Sequence, residues 1–170
     1  MLYTYDPVDD YVLTAVGEFS EKKLTSADQE NIDLPEAQED TKDGLTAEEI
    51  TKLGTWLKET LGEKVSEVRA SQRLIESPAM VLNPEGMTNS MLKMMELMNP
   101  EEKKHVPKIL AINPKHKIIK GINELRKKDD PFATVAAWQL FDNVLILAGQ
   151  NTDPSSTVDR MYQVLERALQ

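Results

Sequence analysis

The sequence predicts an α+β fold, in which a small mixed β-sheet with helices ends in a helical hairpin that forms a four-helix-bundle dimer interface. Residues 130–170 carry two apolar helical patterns separated by a turn. Short β-branched runs alternate with helical patterns in the middle of the chain. No apolar run approaches the roughly eighteen residues that suggest a membrane span, so we predict no contact with a membrane.

The composition of the chain argues against several classes of protein and site. The 170 residues are 40% apolar and 29% charged, which fits one sizeable domain, or one domain with part of another. A net charge of −9 without a basic tract argues against nucleic-acid binding. The absence of cysteine excludes disulfides and thiolate metal sites, and the first residues show no secretory signal pattern.

Residues 1–27 predict a β-α-β unit. Leu2–Tyr5 has a strand pattern, Pro7 suits the first position of a helix, and Lys22–Ser26 suits a returning strand. Such a unit is too short to build a core, so we interpret it as the end of a preceding domain. Residues 28–44 are acidic and poor in apolar side chains, and we interpret them as a linker.

Residues 45–170 are predicted to form the second domain. Thr46 and Glu49 make a capping box, which opens a helix that ends at Gly62 and has one apolar face (Ile50, Leu53, Leu57, Leu61). Residues 65–83 predict two strands, adjacent in one sheet, and Ile109–Ile112 predicts a third. Asn113 is then the expected N-cap of a helix that buries Ile118, Ile119, Ile122 and Leu125.

The hairpin supplies the predicted dimer interface. Its first helix is apolar around most of its surface, with Gln139, Asp142 and Asn143 as the only polar strip, and its second begins at Asp153-Pro154 and carries one apolar stripe. The hairpin could pack on its own domain, or a second copy could cover the remainder, and the breadth of the apolar surface favours the second copy. The interface residues would be Ala137, Leu140, Phe141, Val144, Leu145, Ala148, Val158, Met161, Tyr162, Leu165 and Leu169.

Five of the eight methionines lie between Gly86 and Met98 with helical spacing that places them on one face. Flexible methionine faces adapt to partners of many shapes, although such a face can also be ordinary core. Catalytic patterns are absent from the sequence, and His105 and His116 lack metal-ligand spacing, so we predict neither an enzyme nor a metal site.

Several segments resemble, in order along the chain, the end of the middle domain and the C-terminal domain of the heat shock protein 90 chaperones. The resemblance rests on Asp6–Tyr11, Glu18-Phe19, Lys22–Leu24, Leu61–Val65, Arg73-Leu74, Ser77–Val81, Ile112–His116 and Arg160–Leu165. It implies a homodimeric chaperone of the stress response that binds partly folded clients. Client contacts would fall on Met87, Met91, Met94 and Met95, and on a second patch of Asp10, Tyr11 and Thr14.

The resemblance also implies that ATP and Mg are bound by a domain outside this chain, so that the chain itself needs no cofactor. It points to a bacterial cytoplasmic protein or, alternatively, to one of the mitochondrial matrix. The alternative function is a purely structural dimerisation scaffold in which the methionine helix is core.

Overall fold

The computed structural model describes residues 7–24, 44–71, 74–83, 91, 94, 106–128, 130–150 and 152–170. It is an α+β structure with two small sheets. Within these residues the helices are α1 (Pro7–Val16), α2 (Ala47–Leu61), α3 (Lys117–Lys127), α4 (Phe132–Leu147) and α5 (Pro154–Ala168). The strands are β1 (Glu18–Phe19), β2 (Lys22–Lys23), β3 (Val65–Ala70), β4 (Ala79–Leu82) and β5 (Lys108–Ile112).

The first sheet is a hairpin of β1 and β2, which pair antiparallel. Ser20 and Glu21, with φ of 51° and 61°, turn the chain between the strands. Two positive φ angles suit a tight hairpin, but such turns usually contain Asn-Gly, and without that signal the sequence did not reveal β1. The returning strand was predicted correctly at its start. The strand predicted at Leu2–Tyr5 and the acidic linker lie outside the described residues, apart from Gly44.

Helix α2 confirms the capping box. The Glu49 amide donates to Thr46 Oγ1 at 3.3 Å, and the Thr46 amide donates to Glu49 Oε2 at 2.9 Å. Leu53, Leu57 and Leu61 are buried as predicted, whereas Ile50 is half-buried. The chain leaves the helix at Gly62 with φ of 58° and ψ of −134°, a conformation open to glycine but strained for other residues.

The second sheet has the strand order β3-β5-β4, with β5 parallel to β3 and antiparallel to β4. The prediction that the two strands of residues 65–83 are adjacent is therefore wrong. All five residues of β5 are buried, so this strand takes the centre, where both edges and both faces are covered. Patterning along a chain identifies strands but does not give their order.

The main core lies between one face of this sheet and the helices. Leu57 of α2, Leu110 of β5, Ile122 of α3 and Phe141 of α4 belong to one buried cluster and are each at most 2% exposed. The remaining buried members are Leu53, Leu61, Val65, Ala79, Val81, Ile112, Ile119, Ala137, Leu140 and Val144. The opposite face of the sheet carries a smaller buried cluster of Leu82, Ile109 and Ala111.

The N-cap of α3 is His116, and the prediction of Asn113 is wrong. His116 Nδ1 accepts from the amide of Ile118 at 3.1 Å. The Asn113 side chain is already engaged, because its Nδ2 donates to the carbonyls of Leu74, Ile75 and Ser77, at 3.1–3.3 Å. Asn113 therefore braces the loop between β3 and β4, and the helix starts three residues after Pro114.

One predicted core position of α3 is also wrong. Ile119 and Ile122 are buried and Leu125 is half-buried, but Ile118 is 48% exposed. The inward face is centred on Ile119, Ile122 and the fully buried Asn123, and Ile118 lies on its edge. Periodicity alone placed that centre about a fifth of a turn away.

Gly54 offers a test of the packing between α2 and β3. A Cβ added there would lie 3.5 Å from the Val68 carbonyl oxygen and 3.7 Å from Val68 Cβ, which are ordinary contacts. We expect Gly54→Ala to raise the free energy of unfolding by about 0.5–1 kcal/mol, because alanine restricts the unfolded chain and favours helix. Gly62→Ala is the matched control, where a Cβ meets nothing within 4 Å but φ is positive. It should lower the free energy of unfolding by about 1–3 kcal/mol in urea titrations, and equal effects would contradict this account.

Glu49 offers a test of pH dependence. Its Oε1 lies 2.7 Å from Lys127 Nζ, and the hydrogen bond from Lys127, followed by those from Thr46, lowers its pKa from 4.5 to about 2. A lowered folded-state pKa adds stability above pH 4.5 that disappears as pH falls towards 2. We expect Glu49→Gln to lower the melting temperature at pH 7, with a difference from the parent that narrows below pH 4.5. Glu59→Gln on the same helix is the control, and a difference that does not vary with pH would contradict the assignment.

Candidate functional site

The turn between α4 and α5 has the predicted chemistry. Gly149 follows α4 with φ of 68°, and Pro154 occupies the first turn of α5. Asp153 caps α5 by accepting from the Ser156 amide at 3.3 Å. The hydrogen bonds from Ser156 lower the pKa of Asp153, so the cap is a carboxylate at neutral pH. The two helices of the hairpin are therefore fixed in length by local sequence.

The inward face of α4 is used within the chain. Ala137, Leu140, Phe141 and Val144 are at most 5% exposed and belong to the main core. These four positions of the predicted dimer interface thus contact the chain's own sheet and helices, as in the interpretation that packs the hairpin on its own domain. Periodicity identified an apolar face but could not identify what covers it. The half-buried Leu145 and Ala148 pack at the edge of this core.

The apolar side chains of α5 are instead exposed. Thr157 is the only residue of this helix that is buried. The five predicted interface residues of α5 and its C-cap are between 39% and 87% exposed, and we call them the α5 stripe: Val158, Met161, Tyr162, Leu165 and the C-cap residue Leu169. Ile146 and Leu147, at the end of α4, are 52% and 81% exposed. These two are not among the interface residues predicted from the sequence.

A buried carboxylate joins α5 to α4. Asp142, only 5% exposed, accepts from Thr157 Oγ1 at 3.1 Å and from Arg160 Nε at 3.1 Å. Arg160 Nη2 also donates to Asp142 and to Ser156 Oγ. The Arg160 guanidinium lies 5.7 Å from the centre of the Trp138 ring, which is cation–π distance. The polar strip predicted on α4 is therefore partly the docking site of α5, and its members Gln139 and Asp142 are buried.

A second arginine repeats this arrangement near the end of α5. Arg167 Nη2 lies 3.2 Å from Asp130 Oδ2, and its guanidinium lies 5.7 Å from the centre of the Phe132 ring. This pair is more exposed, with 55% of the Arg167 side chain accessible. Exposed pairs contribute little, so Asp142 and Arg160 make the stronger contact.

The predicted client-contact residues are described only in part. Met91 and Met94 are helical, Met91 half-buried and Met94 44% exposed, while Met87 and Met95 lie outside the described residues. Asp10, Tyr11 and Thr14 lie in α1, where Thr14 is exposed. The same unit exposes an apolar set that the sequence analysis did not assign to a site: Val8, Val12, Val16 and Phe19, each at least 50% exposed.

Among the residues that the structure describes, no three His, Cys, Asp or Glu side chains lie close enough together to hold a metal ion. Of the two histidines, His116 caps α3, and His105 lies outside the described residues. None of the described helices is long and apolar enough to cross a membrane.

Comparison with known proteins identifies relatives along the whole chain. A "Chaperone protein HtpG" of Desulfitobacterium hafniense (strain Y51) is 47% identical over 173 residues, covering 99% of this chain and 28% of that protein. The HtpG of Desulfotalea psychrophila is 41% identical, with 99% and 29% covered. A mitochondrial "Heat shock protein 75 kDa" of Rattus norvegicus is 32% identical, with 100% and 25% covered. The chain thus spans between a quarter and 29% of the length of these relatives.

The family model described as "Hsp90 protein" matches residues 1–170. This match covers the acidic segment as well as both predicted domains, and it confirms the resemblance to the heat shock protein 90 family. The assignment to the middle and C-terminal domains of that family stays a prediction. The chain belongs to the Hsp90 family of heat shock chaperones.

Proposed function

We propose that this chain is the dimerisation and client-binding part of an ATP-dependent Hsp90-type chaperone that assists protein folding. Residues 45–170 would form the dimerisation domain, and residues 1–27 would end a preceding middle domain. The observation that carries the proposal is the α5 stripe, five apolar side chains on one helix that the chain itself leaves exposed. An amphipathic helix normally buries its apolar face, so a partner surface is expected.

A second copy of the chain is the partner that fits this surface. Two hairpins related by a twofold axis would bring four helices together, with each α5 stripe facing its counterpart. The contact would be isologous, because the same residues serve on both sides. Ile146 and Leu147 of α4 would extend the apolar contact, while the buried face of α4 remains in each chain's own core.

Dimerisation would serve the parts of the protein beyond this chain. Tethering two copies at one end raises the effective concentration of their other domains to about the millimolar range, so their closure becomes nearly intramolecular. In the full-length protein those domains would bind ATP and Mg, and this part would need no cofactor. The two bacterial relatives named above are 47% and 41% identical, against 32% for the mitochondrial one, which favours a bacterial cytoplasmic chaperone over one of the mitochondrial matrix.

Client binding is proposed for the methionine face and for α1. Met94 is accessible, and methionine side chains adapt to irregular apolar surfaces. Asp10, Tyr11 and Thr14 of α1 would form the second client contact, and the exposed valines of the same helix would add apolar surface to it. The alternative is a structural scaffold in which the methionine helix serves as core. The half-burial of Met91 is the observation that favours this alternative.

Dimerisation is tested by Leu165→Arg, which places a charge at the centre of the α5 stripe. We expect light scattering of the parent to give about twice the 19.2 kDa chain mass, and the variant to give the monomer mass across a dilution series. Ile118→Arg is the matched control, since Ile118 is 48% exposed and Leu165 is 50% exposed. A monomeric parent, or a variant that remains dimeric, would contradict the proposal.

Client binding is tested by a crossed pair of methionine substitutions. Met94 and Met161 have nearly equal exposure, 44% and 43%, but lie on the two different proposed surfaces. We expect Met94→Glu to weaken suppression of aggregation of an unfolded client several-fold while the dimer persists, because a charge opposes apolar contact. Met161→Glu should dissociate the dimer. If Met94→Glu holds the client as well as the parent does, the scaffold alternative is favoured.

A further inference from the structure

The orientation of α5 is determined by polar contacts and not by burial of its apolar face. Thr157, Arg160 and Arg167 point to α4 and make the contacts with Asp142 and Asp130. The α5 stripe remains exposed at every position. An amphipathic helix next to a largely apolar helix would ordinarily turn its own apolar side inward. Here the opposite arrangement is observed.

The two faces of α5 are well separated around the helix axis. At 3.6 residues per turn, the centre of the face with Thr157, Arg160 and Arg167 lies roughly 145° from the centre of the α5 stripe. A rotation of about two fifths of a turn would therefore bring the stripe against α4. The chain would then bury within itself the side chains proposed to meet a second copy.

Asp142 opposes that rotation. Its buried carboxylate accepts from Thr157 and from two nitrogens of Arg160, and rotation of α5 would remove all three hydrogen bonds. A buried carboxylate without partners is strongly unfavourable. Trp138 adds directional preference, since the guanidinium of Arg160 lies over its ring. The contacts of Asp142 and Trp138 with α5 can form together at only one orientation of that helix.

We propose that Asp142 is a positioning residue for self-association: with Arg160 and Thr157 it fixes the rotation of α5 so that the α5 stripe faces a second copy. This inference rests on the proposed dimer. Buried polar groups that select one arrangement of helices are well attested in helical assemblies. Asp142 itself need not touch the second copy, since it lies between α4 and α5 of its own chain.

The test replaces the ion pair by apolar side chains of similar size, Asp142→Leu with Arg160→Met. Such replacements commonly leave a fold as stable as before, but here they remove the feature that selects the rotation. We expect the dimer dissociation constant, measured by sedimentation equilibrium, to rise about tenfold or more. Arg167→Met is the matched control on the same helix, and it should change the dissociation constant less than about threefold.

A second measurement separates positioning from stability. The Leu165→Arg chain provides a monomeric background, in which the double substitution should leave the urea midpoint unchanged or higher. Equal losses of monomer stability and dimer affinity would mean that the pair only holds the fold together, which would overturn the inference. An unchanged dissociation constant in the double variant would overturn it as well. A parent that is monomeric at all concentrations would contradict the proposed dimer itself, and the inference about Asp142 would fail with it.

Asp142→Asn gives a milder probe should the double variant fail to fold. Asparagine keeps the shape and can still accept from Thr157, but it loses the charge that attracts Arg160. We expect a smaller rise of the dissociation constant, about threefold to tenfold, with an unchanged far-ultraviolet circular dichroism spectrum. A dissociation constant equal to that of the parent would show that the charge does not set the orientation.

Discussion

Burial of one face of α4 is the interaction on which the rest of the described structure depends. Phe141 and its neighbours Ala137, Leu140 and Val144 pack in the same cluster as residues of α2, α3 and the three-stranded sheet. This face is occupied within the chain and cannot also face a second copy. The remaining side of α4 includes the polar strip, and α5 docks where Asp142 lies. The apolar side chains of α5 consequently face away from the chain's own core.

Much of the fold was predictable because its signals are local. The capping box of Thr46 and Glu49, the glycine at position 62 and the Asp153-Pro154 start of α5 each depend on residues within one helical turn. Such signals depend little on which other parts of the chain surround the helix. Asn113 shows the limit, because its side chain is a good cap but braces the loop of Leu74–Ser77 instead. Because Asn113 is engaged there, His116 is the residue that caps α3.

The candidate site was harder to predict for a physical reason. Hydrophobic periodicity shows that a helix face avoids water, but it carries no information on whether the chain or a partner covers that face. For α4 the chain itself covers the central positions, and for α5 it does not. The sequence identified Asp142 only as part of the polar strip of α4. Its actual burial depends on Thr157 and Arg160, fifteen and eighteen residues away, which no local rule connects.

If the proposed dimer forms through the α5 stripe, the stability of the single chain and its assembly place opposite demands on this hairpin. An apolar contact between α4 and α5 would bury more hydrophobic surface in the single chain and would stabilise it more. It would also bury the side chains of the α5 stripe, which the proposed dimer would need at its interface. A buried ion pair contributes little net stability, because desolvation offsets most of its attraction, but it tolerates few alternative geometries. Placed between α4 and α5, it keeps the α5 stripe exposed at small cost to the fold. In the proposed dimer, the same residue that weakens hydrophobic packing inside the chain would favour packing between chains.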